Sequence, residues 1–477
     1  MRRLIVGLSL FFWLCQVYAS ALPSLGESSD SDLSPIMQQS IARQIKMQLQ
    51  SDPSYFPDSE ITDYLNRIEA RLSAHSTAPQ MHIHVFVIKS SVINADAMPG
   101  QLIGVNTALI SATDTESELA AVLAHETSHI TQHHFSRSIN ENKKNGYLTL
   151  AGLALSIFAA YFNPEMAGAG LTATGAGNIQ AQISDSREHE EEADRIGFDT
   201  LVAAGFDPHG MADFFKKLQN MTRLDQVNYP EYLHDHPMTT NRIAEAENRA
   251  DQYPYHQVAS SLDYFLVKAR LKALQGTPEA AIRHFQRTLG PDSYGYPIAN
   301  HYGLALALAR NHQYKSALKQ LDIAQSMGKS SFFNALGAAI LEADGKTDAA
   351  LKVYNQALGT WPNNRTLLRG KISLLIDTKH YNQAIRADDT ALESHPHDDV
   401  LYQLKAQVYS RLDENALQHK AQAEAYYYEG NIRAAIDQLQ IARNSKRVNY
   451  FTLASIQSRL KHFKEEYAFD KTVKTGL

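Results

Sequence analysis

His125-Glu126-Thr127-Ser128-His129, preceded by Glu118-Leu119-Ala120-Ala121-Val122-Leu123-Ala124, is the stretch on which the reading of this 477-residue chain turns. Its flanks are rich in Ala and Leu and free of Gly and Pro, which predicts a helix running through the pentapeptide. At about 100° per residue, His125 and His129 fall about 40° apart on one face, one turn above the other. Two imidazoles so spaced can share one metal ion, and zinc suits imidazole nitrogen. A catalytic zinc keeps one position open for a water whose pKa falls to about 7. Glu126, beside that face, is placed to take the water's proton and pass it to a leaving amine. An amphipathic helix carrying two histidines by chance would show the same five residues, so a further ligand has to come from elsewhere.

Ser186-Arg187-Glu188-His189-Glu190-Glu191-Glu192-Ala193-Asp194 is the best candidate. Glu190 and Asp194 stand four apart on one helix face, so one can bind metal while the other orients a ligating histidine. A solvated acidic helix is the alternative, but five acids so close repel one another unless a cation is present. The two motifs together resemble the gluzincin family of integral-membrane CAAX prenyl proteases and heat-shock membrane peptidases. That resemblance implies one zinc ion per chain held by His125, His129 and Glu190, with Glu126 as catalytic base and Asp194 behind the ligands. Upstream, Ile93-Asn94-Ala95-Asp96-Ala97-Met98-Pro99-Gly100-Gln101-Leu102-Ile103-Gly104-Val105 is similar to the family's Asn-Ala-Phe-Ala-Leu-Pro-Gly-Gly segment before an edge strand, and departs from it at Asp96 and Gln101. Downstream, His234-Asp235-His236-Pro237 with Arg242 resembles the family's His-Pro segment and following arginine. His236 would then polarise the scissile carbonyl or stabilise the oxyanion, or fill the open zinc position and act as a brake, and Arg242 would add charge or hold the segment. His133, His134, His189 and His234 are read as having no part in the site, since none lies where the resemblance places a ligand.

Around this centre the chain divides into three. Arg2 and Arg3, an apolar run from Leu4 to Cys15 and the small residues Ala19-Ser20-Ala21 read as a cleaved export signal over residues 1–21. Cys15 is the one cysteine, so the exported chain would hold no thiol and no disulfide. Residues 22–255 are expected to form the peptidase domain. Helical spacing runs from about Ser34 to Ser73, which predicts two helices. Met81–Ile88 and Gly104–Ile110 read as strands. An exposed strand edge near the metal would let a peptide add as a strand, with affinity that hardly depends on its sequence. Tyr147–Phe162 is almost wholly apolar, and a Gly- and Ala-rich run from Ala167 to Gly177 follows it. Sixteen residues fall short of the roughly 20 that span a membrane, which favours a buried helix or lid over peripheral membrane contact.

From Leu262 to about residue 470 the sequence repeats. Ala281, Ala317, Ala350 and Ala384 recur at steps of 36, 33 and 34, and Ala269, Gly303, Gly337, Gly370 and Leu404 at steps of 34, 34, 33 and 34. Small residues at two fixed points of such a period let paired helices stack closely. This resembles the tetratricopeptide array, a solenoid with a concave surface for peptides or partners. Ala435, 51 residues past Ala384, breaks the period near the end. The fold expected is mostly α: a gluzincin-like zinc peptidase domain with a small β-sheet, followed by an α-solenoid.

A formal charge of −6 gives no electrostatic case for nucleic acid. Export signal, zinc peptidase and repeat array together resemble the periplasmic beta-barrel assembly-enhancing proteases. That resemblance implies a periplasmic endopeptidase acting on unfolded or misassembled proteins, with the outer-membrane assembly machinery as partner of the repeats. A chaperone or docking scaffold with a latent or structural zinc domain is the rival reading, and a complete Glu126 weighs against it.

Overall fold

The computed structural model describes residues 35–142, 187–224, 232–254, 257–290, 295–446 and 448–475. The expected export signal and the segments 147–162 and 167–177 lie outside the described residues. The first amphipathic stretches form α1 (Pro35–Ser51) and α2 (Ser59–Ser73). Asp58 caps α2 by accepting the Ile61 N–H at 3.1 Å, and Ile61, Leu65, Ile68 and Leu72 face the core.

Three short strands follow, β1 (His84–Ile88), β2 (Ala95–Met98) and β3 (Leu102–Asn106), in the order β1-β3-β2. β1 pairs parallel with β3 and β2 antiparallel to it, so β2 lies at a sheet edge. The β2–β3 turn puts Gly100 at φ 87° and Gln101 at φ 62°. A left-handed backbone favours glycine, which is a physical reason for two glycines where this chain has Gly100-Gln101. The strand expected to run to Ile110 stops at Asn106, and Thr107–Ala112 is the short helix α3. β1 pairs with β3 only as far as Asn106, and Thr107 Oγ1 then bonds both the N–H and the carbonyl of Ser90, turning the chain off the sheet.

The buried centre of the N-terminal half is α4 (Glu116–Thr131), begun by Thr115, whose hydroxyl accepts the Glu118 N–H. It is followed by α5 (His134–Asn142), α6 (Arg187–Ala203), α7 (His209–Leu224), α8 (Tyr232–Asp235) and α9 (Thr240–Ala250). α4 and α6 approach so closely that a Cβ on Gly197 would stand 3.1 Å from both the Ala124 carbonyl oxygen and the His125 nitrogen.

Twelve helices then run in pairs: α10 (Leu262–Leu274), α11 (Pro278–Thr288), α12 (Pro297–Arg310), α13 (Tyr314–Met327), α14 (Ser331–Ala343), α15 (Thr347–Thr360), α16 (Arg365–Asp377), α17 (Tyr381–Ser394), α18 (Asp399–Arg411), α19 (Asn415–Tyr428), α20 (Ile432–Arg443) and α21 (Tyr450–Thr475). The two ladders of small residues have distinct tasks. Ala281, Ala317, Ala350 and Ala384 are buried on the second helix of successive pairs. Gly303 and Gly370, on first helices, leave room for the Phe285 and Tyr354 rings of the preceding helices. None of the described helices is long and apolar enough to cross a membrane.

The array is seated on the N-terminal half. One buried core runs from Ile61 and Leu119 through Tyr264 and Tyr302 to Phe333. Arg270 of α10 pairs with Asp58 and Glu60, each at 2.8 Å, and Arg365 of α16 pairs with Asp63. Arg43 of α1 reaches Asp470 of α21 at 2.6 Å, and any side chain on Gly430 would collide with the Arg43 carbonyl oxygen.

Because backbone atoms line the Gly197 contact, Gly197→Val should wedge α6 from α4 and destabilise the fold by about 1–3 kcal/mol. Urea unfolding measures it; a midpoint equal to that of the parent chain would mean that the two helices are not held at this distance.

Candidate metal centre

α4 turns His125 and His129 to one side, and α6, brought close by Gly197, places Glu190 across from them. The Nε2 atoms of His125 and His129 are 3.0 Å apart. Glu190 Oε2 stands 3.5 Å from the first and Oε1 3.4 Å from the second. His236, just past α8, brings its Nδ1 to 3.2 Å from His125 Nε2 and 3.1 Å from Glu190 Oε1. One ligand atom from each of the four residues lies within 4.8 Å of the other three.

These spacings can be tested against a metal. Bonds of about 2.0–2.1 Å to nitrogen and oxygen in a tetrahedron put the ligand atoms about 3.3 Å apart. Counting both oxygens of Glu190, five separations among the four side chains run from 3.0 to 3.5 Å, near that edge. Two facing Nε2 atoms can share at most one proton between them, whereas a cation satisfies both. Electrostatics points the same way. Burial opposes charge on His125, but Asp194 and Glu190 more than reverse it and lift its pKa to about 10. Burial likewise pushes Glu190 up, and the surrounding histidines more than compensate, holding it well below the usual carboxylate range. The pocket attracts positive charge, and its donor set fits one zinc ion.

Glu126 is fully buried beside the cluster. Its Oε2 accepts the Ala97 N–H of edge strand β2 at 2.9 Å. Its Oε1 has no hydrogen-bond partner among the described residues and lies 3.5 Å from His236 Nε2. Burial raises the Glu126 carboxyl above its usual range. Asp194 Oδ1 stands 3.0 Å from His125 Nδ1, close enough for an ion pair though off the line of an ideal hydrogen bond. Arg242 clamps Asp194 with two bonds of 2.6 and 2.8 Å, and its Nη1 reaches Glu190 at 2.9 Å and the Pro237 carbonyl at 2.8 Å. The arginine thus fixes both carboxylates and the segment that carries His236.

Residues 60–250 match peptidase family M48, and residues 341–408 match the tetratricopeptide repeat. The beta-barrel assembly-enhancing protease of Escherichia coli (strain K12) is 30% identical over 460 residues, covering 94% of this chain and 92% of that protein. The chain belongs to the beta-barrel assembly-enhancing protease family. Within the same similarity lie the mitochondrial metalloendopeptidase OMA1 of Arabidopsis thaliana, 25% identical over 48% of this chain and 45% of that protein, and the metalloprotease LoiP of Escherichia coli, 26% identical over 40% and 71%. It is a zinc metalloprotease with one ion per chain, and its repeats are of the kind that bind proteins.

Of the histidines read as bystanders, His133 stays outside the cluster, and the His234 side chain lies outside the described residues. His134 is likewise not one of the four, but it touches one of them: its Nδ1 is 2.9 Å from His129 Nδ1, and its ring stacks on His189 at 4.4 Å. Tyr232 was equally unmarked by any motif, yet its buried ring lies 4.6 Å from that of His236 and its hydroxyl has no hydrogen-bond partner among the described residues. Glu69 of α2 is another. It accepts the Thr127 hydroxyl at 2.8 Å and the Ser73 hydroxyl at 2.7 Å, bracing the residue next to Glu126.

Burial pushes the Glu69 carboxyl up to about 7, against the pull of its two hydrogen bonds. An acid whose pKa rises on folding keeps its proton longer in the folded chain, so stability falls as pH climbs from about 4.5 to about 7 and then levels. Glu69→Gln removes that loss: it should match the parent chain at pH 4.5 and exceed it at pH 8 in urea midpoint. An equal fall with pH in both chains would clear Glu69 of the effect.

Proposed function

We propose that the chain is an exported endopeptidase of the periplasm, in which His125, His129 and Glu190 hold the zinc, Glu126 is the general base, and Asp194 and Arg242 orient the ligands. The observation that carries this is a set of four metal-ligating side chains with donor atoms within 4.8 Å of one another, beside Glu126, whose Oε1 has no hydrogen-bond partner among the described residues. When bound, zinc polarises the scissile carbonyl and makes water a nucleophile near neutral pH. The chain does the rest. The Ala97 N–H fixes one oxygen of Glu126, leaving the other to take a proton from the attacking water and give it to the departing amine. The same N–H belongs to the edge strand, so an extended substrate pairing with β2 would lie directly over the base.

His236 is both brake and helper on this reading. Its Nδ1 stands at the fourth corner of the cluster, which hydrolysis needs free, so the segment held by Arg242 has to withdraw before substrate enters. Once withdrawn, the ring can donate to the oxyanion. Four protein donors with no open corner also describe a structural site, which is the one feature that favours a latent scaffold. A buried carboxylate whose second oxygen has no hydrogen-bond partner among the described residues has no use in such a site.

The relatives' name gives the wider setting. Unfolded or misassembled proteins of the outer membrane are the substrates we propose. The array of residues 262–470 would meet those clients or their assembly machinery while residues 22–255 cut. The shared core makes the two work as one body.

Two substitutions separate holding metal from using it. Glu190→Gln should weaken zinc binding severely, whereas Glu126→Gln should keep one zinc per chain and lose about 10²–10⁴-fold in cleavage of an unfolded protein. Full zinc affinity in the first, or undiminished cleavage in the second, would remove that residue from its assigned role.

A further inference from the structure

The two histidines of α4 are braced differently. Behind His125 stands a carboxylate, Asp194, at 3.0 Å. Behind His129 stands another imidazole, His134, whose Nδ1 is 2.9 Å from His129 Nδ1. His134 is 4% exposed, and its other nitrogen, Nε2, meets Glu192 Oε2 at 3.1 Å. The same carboxylate oxygen takes a 2.7 Å bond from Arg137. The flat face of His134 lies on the His189 ring at 4.4 Å with 15° between the planes. This arrangement requires an unusual backbone. Five positions along a continuous helix would carry His134 about 140° away from His129. Instead His133 takes φ 55°, a conformation unfavourable for a residue with a side chain, and the chain turns so that His134 faces back.

With both imidazoles neutral, the protons along this line can be placed in one way. Glu192, held by Arg137, can only accept, so His134 carries its proton on Nε2 and keeps a lone pair on Nδ1. That lone pair accepts from His129 Nδ1–H, which leaves His129 Nε2 unprotonated and turned into the cluster. We propose that His134 and Glu192 are a positioning pair that fixes the tautomer and ring orientation of His129 for zinc. The inference rests on the ligand set proposed above. A neutral imidazole is a weaker acceptor than a carboxylate, so His129 is the less basic of the two histidine ligands.

Zinc dissociation constants, measured on the full chain by competition with a chromophoric chelator, test this with urea unfolding of each metal-free variant beside them. His134→Phe keeps a flat buried ring without an acceptor and should weaken zinc by about 10–100-fold at unchanged metal-free stability. His134→Gln, which restores an acceptor, should recover most of that loss. Zinc held as tightly by His134→Phe as by the parent chain, or as weakly by His134→Gln as by His134→Phe, overturns the pair. Should His134→Phe not fold, Glu192 decides, because its side chain is 28% exposed: Glu192→Ala should weaken zinc and Glu192→Gln, still an acceptor, should not. Equal zinc affinity in Glu192→Ala and the parent chain then overturns the proposal. His129→Ala tells the two failures apart, since unchanged zinc there means that the ligand set itself is wrong, whereas lost zinc there with retained zinc in His134→Phe means that only the positioning pair is wrong.

Discussion

Glu190 and Asp194, two buried carboxylates one turn apart on α6, set the condition that everything near them answers. Like charges at that spacing repel, and burial removes the water that would screen them. Arg242 balances part of the charge by bridging both. Three imidazoles gathered around Glu190 show where the remainder of the balance belongs. A cation at that point satisfies the facing nitrogens and the carboxylate together, which is why the helices hold so much polarity in an otherwise apolar core.

The scaffold is built to hold those few atoms still. Gly197 lets α6 touch the backbone of α4, Glu69 braces Thr127 from α2, and Ala97 holds Glu126 from the sheet edge. The repeats extend this rigidity. Tyr264 and Tyr302 belong to the same core as Leu119 and Leu123, and charge pairs at Asp58, Asp63 and Arg43 tie α10, α16 and α21 to the first two helices. A protein bound on the array would therefore be mechanically connected to the strand edge and to Glu126 behind it.

Much of this was legible in the sequence because it is local. The spacing of His125 and His129, the pair Glu190 and Asp194, and the period of the small residues each follow from one helix and its repeat, and each falls where that geometry puts it. What was not legible depends on breaks and on distance. His134 lies where the resemblance places no ligand, and only the left-handed turn at His133 brings it beside His129. The strand expected to reach Ile110 ended early because β1 offered no further partner. The ion pairs between Arg365 and Asp63 and between Arg43 and Asp470 join residues hundreds apart, for which no periodicity gives a signal. Tyr232 and Glu69 belong to the same class, being ordinary residues made relevant by what the fold sets beside them.

One claim underlies the rest, namely that a single zinc sits among His125, His129, Glu190 and His236 with the last as a removable fourth donor. X-ray absorption at the zinc edge, recorded on the loaded parent chain and on His236→Ala, counts the imidazoles directly. Three imidazoles and one carboxylate at about 2.0–2.1 Å are expected in the parent chain, and two imidazoles with an additional oxygen in the variant. The same number of imidazoles in both spectra would contradict it.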